Sequence, residues 1–321
     1  MRKLLFLACG LYLSLSVMAE QESLETVVVT ASRTPVPLNE IGSSVSIISR
    51  EDLAQSHATH LAGLLREIPG FALSQQGPTG SLAQLRVRGA EANQVLVMID
   101  GIEANDVSQG SDFNFAHMLT DQIQRVEIVR GPQSALWGSD ALAGVINIIT
   151  RPDTRRDNTN ELTGSIRAGS FDTKEAALAW QYGSESTSLI VSANRFDTTG
   201  TNVSRTGNEE DGYENTTLAL AGRTDVADSF VLSWTFRDVD SRSEYDDIDF
   251  INTGLPTDAP FVTHSNQTYA GAAAEFSFLD GQIDHIVSMA RTESDNVNDT
   301  FSPVADRTRA DKDQLSWLTN W

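Results

Sequence analysis

The sequence predicts an α+β domain followed by antiparallel strands of the outer-membrane β-barrel type. Three observations predict it. Two basic residues and a short apolar run open the chain like an export signal. The hydrophobic pattern changes from mixed to alternating near residue 160. The excess of negative charge concentrates in the alternating half. The 321 residues carry 44 acidic and 23 basic side chains, a net charge of -21. So acidic a chain repels nucleic-acid phosphates, which sets DNA and RNA aside as partners. Apolar residues at 40% and charged residues at 21% are ordinary globular usage, not that of a disordered chain. No long uncharged run supports a bundle of membrane helices.

Residues 1–19 begin Met1-Arg2-Lys3, run apolar from Leu4 to Met18 and end in Val17-Met18-Ala19. This reads as a secretory signal cut after Ala19. A membrane anchor is the competing reading, and about fifteen apolar residues are too few for a comfortable span. Cys9 lies too early for a lipoprotein cleavage site, so cleavage after Ala19 leaves no cysteine. Disulfides, thiolate metal sites and cysteine nucleophiles are then excluded together. In the next segment, residues 20–37, Thr26, Val27, Val28, Val29 and Thr30 favour an extended backbone. Pro35 and Pro37 stop any helix there. Such a segment is either an ordinary first strand or one that lends its backbone to another protein's sheet edge.

Residues 38–152 read as a compact α+β domain. Ser49 and Asp52 form a capping-box start, and Leu53, His57, Leu61, Leu64, Leu65 and Ile68 recur at helical spacing until Pro69-Gly70. That stripe places His57 in the packed face. Strands are expected at 85–88, 95–99, 125–129 and 145–150, punctuated by Gly89, Gly101, Gly131-Pro132 and Gly138. Arg86, Arg88, Arg125 and Arg130, beside Glu91 and Glu127, suggest an ion-pair network reaching toward neighbouring structure.

From 153 to 321 alternation takes over. Leu162, Gly164, Ile166 and Ala168 alternate with polar residues, as do Phe230, Leu232, Trp234 and Phe236, and Leu315, Trp317, Thr319 and Trp321. About eight strands are expected, with long polar loops at 197–214 and 238–267. A soluble antiparallel sandwich alternates too, but the export signal and the polar loops favour a membrane barrel. This half carries 29 acidic and 13 basic side chains, against 15 and 8 in residues 20–152.

Candidate chemistry is sparse. No Walker loop, dinucleotide-binding glycine fingerprint or HExxH is present, and no nucleophile–base arrangement can be read, so no enzyme is expected. The turn-rich stretches 75–81 and 105–111 are either plain surface loops or places where a ligand is met. The acidic loops, with Asp197, Glu209, Glu210, Asp211 and Glu214 and then Asp246, Asp247 and Asp249, are either a solvated surface or a source of hard oxygen ligands bridging two loops.

The run from Val95 to Gly101, the run from Arg125 to Pro132 and the run from Trp137 to Thr150 together resemble plug motifs of TonB-dependent outer-membrane receptors. The valine-rich start resembles that family's TonB box. Within the family the chain is most similar to the cobalamin-receptor branch. The resemblance implies an outer-membrane protein of a Gram-negative-type cell, surrounded by outer-membrane lipid. It also implies a plug folded inside a barrel of about 22 strands. Eight strands enclose no room for such a plug, so an amino-terminal portion with further strands to follow is expected. The implied activity is active uptake of a scarce, bulky nutrient, a cobalamin or other corrinoid, powered by the TonB complex of the periplasm. Glu25, Thr26, Val27, Val28, Val29, Thr30 and Ala31 would pair with TonB. Gln76, Gln84, Val107, Ser108 and Tyr245 fall at substrate-facing positions, and Asp197, Glu209, Asp211 and Asp246 at calcium-binding ones. An iron-siderophore or haem receptor of the same family is the near alternative. An exported adhesion or carbohydrate-binding protein without transport is the distant one.

Overall fold

The computed structural model describes residues 27–28, 30, 36–75, 77–150, 158–205, 207–279 and 281–321. The expected signal segment, Glu25, Thr26, Val29, Ala31 and Gln76 lie outside the described residues.

A short β1 (Val27–Val28) pairs antiparallel with β2 (Val36–Pro37). The plug then runs β3 (Ser44–Ile48), α1 (Arg50–Ser56), α2 (Leu61–Leu65), β4 (Phe71–Gln75), β5 (Ala83–Val87), β6 (Val95–Ile99), β7 (Ile102–Glu103), β8 (Arg125–Arg130), α3 (Ser134–Trp137) and β9 (Gly144–Ile149). Its main sheet has the order β3-β8-β9-β6-β7, with β6 and β9 parallel; β4 and β5 form a hairpin beside it. Every residue of β6 is buried, as a sheet covered on both faces requires. One apolar core joins β5, β6, β8 and β9 to Leu53, Leu61 and Leu65 of the helices.

The single helix expected over 49–68 is two. The capping box forms as read, with Ser49 Oγ accepting from the Asp52 amide and the Asp52 carboxylate accepting from the Ser49 amide. The helix then stops at His57, whose φ of 53° is left-handed. The cause is tertiary. Leu61 N–H donates to the Met118 carbonyl and Thr120 N–H to the Thr59 carbonyl, so 59–61 is committed to a bridge across the plug. His57 is consequently exposed rather than packed, and it is His60 that turns into the structure.

The second half is one antiparallel sheet of eight strands in sequence order: β10 (Thr159–Ala168), β11 (Lys174–Gly183), β12 (Thr187–Thr198), β13 (Tyr213–Ala227), β14 (Phe230–Ile248), β15 (Pro256–Phe278), β16 (Ile283–Asp299) and β17 (Asp306–Asn320). β10 and β17 have one neighbour each, so the sheet is an open wall. Short turns join the strands at one end; longer loops, including 199–212 and 249–255, join them at the other, which is the outer-membrane barrel pattern. The plug rests on the wall's inner face.

The loop expected over 238–267 is mostly strand. The reason lies on the outer face. A row of outward positions, Leu162, Trp180, Val191, Leu220, Phe236 and Ala270, crosses six strands and forms an apolar band. Past Phe236 the outward positions of β14 become Asp238, Asp240, Arg242 and Glu244. Those of β16 past Met289 become Arg291, Glu293 and Asp295. The strands continue beyond the apolar band with both faces polar, and a polar strand has no alternation to read.

Asn105 secures the plug loop that follows β7. Buried at 2% exposure, its side chain accepts from the Val97 amide at 2.8 Å and donates to the carbonyls of Val95 at 3.0 Å and Ser111 at 2.8 Å. Asn105→Ala leaves three backbone groups without these partners and should destabilise the plug by about 3 kcal/mol. The measurement is the urea midpoint of plug unfolding in the detergent-solubilised protein; an unchanged midpoint would show that the bracket is dispensable.

Candidate functional site

At the short-turn end Thr30, from the stretch that resembles a TonB box, packs against the plug. Thr30 is fully buried. Its amide and hydroxyl donate to the Glu127 carboxylate at 3.1 and 2.6 Å, its carbonyl accepts from Trp137 Nε1 at 2.8 Å, and its hydroxyl accepts from Asn147 Nδ2 at 3.2 Å. Arg125 holds the other Glu127 oxygen at 2.8 Å. Val28 pairs with Val36 in the two-residue bridge described above. Among the described residues the bonds of the expected arginine network lie within the plug. Arg125 serves Glu127, Arg86 meets Glu91 at 3.5 Å, Arg130 donates to the Pro69 carbonyl and Ser46, and Arg88 is exposed.

Other residues bond the plug to the wall. Asp121 pairs with Arg167 of β10 at 2.6 Å, Gln122 accepts from Arg237 of β14 at 2.7 Å, and Asp100 accepts from Thr235 at 3.2 Å. Glu103 pairs with Lys312 of β17, and its carbonyl accepts from Thr292 at 2.8 Å. Two close approaches need glycine. A Cβ at Gly80 would lie 2.0 Å from the Tyr213 ring, and one at Gly271 2.8 Å from Ile102. Tyr213 hydrogen-bonds His117 at 3.0 Å, and His60 stacks edge-on against Phe196 at 5.1 Å. Burial pushes both histidines down to about 4, so each is neutral at pH 7.

Toward the long-loop end, plug and wall enclose a cavity of about 340 Å3. The plug contributes Ser81, Gln84, Asp106, Asp112, Asn114 and His117. The wall contributes Ser243, Tyr245, Thr263, Ser265, Gln267, Asn296 and Asn298. Asp106 accepts from the Ser108 amide and hydroxyl and from Asn296 Nδ2 at 2.9 Å; Gln84 donates to Asp112. Of the expected substrate-facing residues, Gln84 and Tyr245 line this cavity. Ser108 stands behind Asp106, and Val107 is exposed on the same turn. The sequence did not point to Asp112, Asn114, His117, Asn296 or Asn298. Their convergence is a product of strand register, which local pattern does not carry.

The carboxylates also sort themselves. Glu209, Asp246 and Asp258 each offer an oxygen, all within 4.8 Å of one another. Asp246 Oδ1 accepts from the Ala259 amide, while Oδ2 is buried with no hydrogen-bond partner, as is Oδ1 of Asn202, whose amide donates to Asp258. Asp211 is buried beside them and accepts from the Val203 amide at 3.2 Å; burial and neighbouring Asp246 push it up to about 6. Burial, then Asp258, Asp246 and Glu244, raise Glu209. Asp197 is not part of this group. It follows inward-facing Phe196, so parity turns it to the outer face, where it meets Arg195 at 3.3 Å. Asp258, in a stretch expected to be loop, takes its place. The grouped donors are all carboxylate oxygens, one of them, Asp246 Oδ2, buried and unpartnered among the described residues, which suits a hard cation of the calcium type.

A globular domain seated by polar contacts on the inner face of an outer-membrane strand wall defines a plugged receptor. Residues 37–145 match the TonB-dependent Receptor Plug Domain family, so this part of the chain is a plug domain of that kind. It is 36% identical over 230 residues to the Vitamin B12 transporter BtuB of Vibrio vulnificus (strain CMCP6), a match covering 71% of this chain and 37% of that protein. Its fold resembles the ferripyoverdine receptor of Pseudomonas aeruginosa (TM-score 0.70, 17% identity, 92% of this chain and 42% of that one). It also resembles the ferric enterobactin receptor of Pseudomonas aeruginosa (TM-score 0.64, 18% identity, 85% and 46%). The chain thus spans less than half the length of these relatives.

Asp211 generates a pH prediction. Its folded value lies above the ordinary 3.8, so the cost of its charge is absent below that value and complete above about 6. Without divalent cations, loop 199–212 should become more resistant to protease as pH falls from 7 to 5, and Asp211→Asn should shrink that dependence. Equal cleavage at both pH values would contradict the assigned cause.

Proposed function

We infer that the receptor to which this chain belongs imports a corrinoid across the outer membrane in a TonB-dependent manner, by binding and transport without catalysis. One observation carries the choice of ligand: among the described residues lining the cavity none is lysine or arginine, two are aspartates, and most of the rest are amides and hydroxyls. An anionic ferric chelate would meet no counter-charge there and would face two carboxylates. A corrinoid presents a rim of neutral carboxamides, which such a lining can pair donor for acceptor. The 36% identity to a vitamin B12 transporter supports the same reading. The siderophore receptors share the fold at 17–18% identity, which carries no ligand preference.

Uphill import needs an outside energy source, since the outer membrane holds no nucleotide and no sustained gradient. In this reading residues 25–31 are the handle, exposed by cleavage of the export signal after Ala19 and stored through Thr30 until a ligand is bound. TonB then adds its backbone to the freed segment, and the pull rearranges the plug. Glu209, Asp211, Asp246 and Asp258 would hold calcium, which neutralises their repulsion and orders loop 199–212 against β14 and β15.

Three measurements test the reading. Cyanocobalamin should bind the intact receptor in competition experiments that ferric enterobactin does not disturb; the reverse result would make it a siderophore receptor. Val28→Pro removes a backbone donor and should abolish uptake in cells while sparing ligand binding; normal uptake would reject strand pairing with TonB. Titration calorimetry should show calcium uptake that Asp258→Asn weakens at least tenfold, and no heat with calcium would remove the metal from the account.

A further inference from the structure

Above the polar cavity the inner wall changes character. Tyr245 of β14 and Phe261 of β15 are register partners one step nearer the long-loop end than Ser243 and Thr263, and they share the inward face with them. Their rings meet at 5.6 Å and 61°. Phe261 in turn meets Phe301, from the loop between β16 and β17, at 4.7 Å and 70°. Both contacts are edge-to-face. Tyr245 lines the cavity, Phe261 is 8% exposed and Phe301 is 71% exposed. A ladder of three aromatic rings therefore climbs from the cavity into solvent.

Phe301 buries too little surface to matter much to the fold, yet the ladder holds its ring over the inner face. Because Tyr245 lines the cavity, a bulky nutrient seated there reaches the first ring of the ladder. We propose that Phe301, held in place by Phe261 and continuing the Tyr245 ring, forms a second subsite that packs against an apolar, methyl-bearing part of a macrocycle whose carboxamides occupy the cavity. The subsite rests on the corrinoid reading and adds a specificity element to it. A ligand must pair amides below and pack apolar surface above, so a wholly polar ligand fills half the site.

Equilibrium binding of cyanocobalamin to the intact, membrane-inserted receptor tests the subsite. Phe301→Ala should weaken binding roughly threefold to tenfold, the loss expected for one aromatic contact, and Phe301→Trp should retain wild-type affinity. Phe261→Leu, which stays apolar but removes the ring that holds Phe301, should weaken it comparably. Heat-modifiable electrophoretic mobility reports that each variant is folded. If the wild type binds cyanocobalamin and Phe301→Ala and Phe261→Leu bind it equally well, the ladder is no subsite and the corrinoid reading survives. If the wild type binds no cyanocobalamin, both fail together.

Discussion

The structure depends on a contrast between two interfaces. Inside the plug the contacts are apolar: Leu61, Leu65, Leu85, Leu96 and Ile128 are essentially without solvent exposure. Between plug and wall they are polar, because the inward positions are residues such as Ser188, Ser192, Asn194, Asn215, Thr217, Ser241, Ser265, Gln267, Ser294 and Asn296. Apolar burial is worth about 25 cal/mol per Å2 and is lost on wetting. A hydrogen bond contributes about 1 kcal/mol net, because water replaces the partner that leaves. A force applied to the plug therefore meets two different resistances. The seam can be wetted and re-formed, whereas the plug's own core resists entry of water.

Tyrosines and small residues give that polar seam its fit. Tyr213 and Tyr269 are buried at the wall face, Tyr269 within the plug's apolar cluster and Tyr213 against His117 and Gly80. Each presents a large ring and a hydroxyl at once, which lets an apolar contact sit in a hydrogen-bonded row. The two neutral histidines complete the arrangement. A charged imidazole there would need a buried counter-ion, and burial instead keeps the proton off.

Much of this was legible in the sequence. Ser49 and Asp52 marked the cap, 95–99 and 125–129 marked the central strands, the latter one residue short of Arg125–Arg130, and alternation marked about eight wall strands. Legibility failed where tertiary contacts override local pattern. The helix breaks at His57 because 59–61 bonds to 118–120. β14 and β15 outrun their alternation because their outer faces leave the apolar band. Sites fared worse than elements, for a geometric reason. Gln84 and Tyr245 reach the cavity and Asp197 misses the carboxylate group, yet nothing local separates these three. A single residue of strand parity decides which face each one takes.

The plug also joins the cavity to Thr30 by continuous structure. Asn105 ties the loop whose next residue is Asp106 of the cavity to Val95 and Val97 of β6. β6 pairs in parallel with β9, placing Met98 beside Asn147, and Asn147 reaches Thr30. Continuity alone transmits nothing; coupling requires an element with two arrangements. Thr30 is the described residue at which the proposed handle meets that sheet, through its bonds to Glu127, Trp137 and Asn147. Under the proposed function, release of residues 25–31 would have to exchange these bonds for water or for another backbone, against the same sheet whose β6 strand carries the Asn105 bracket.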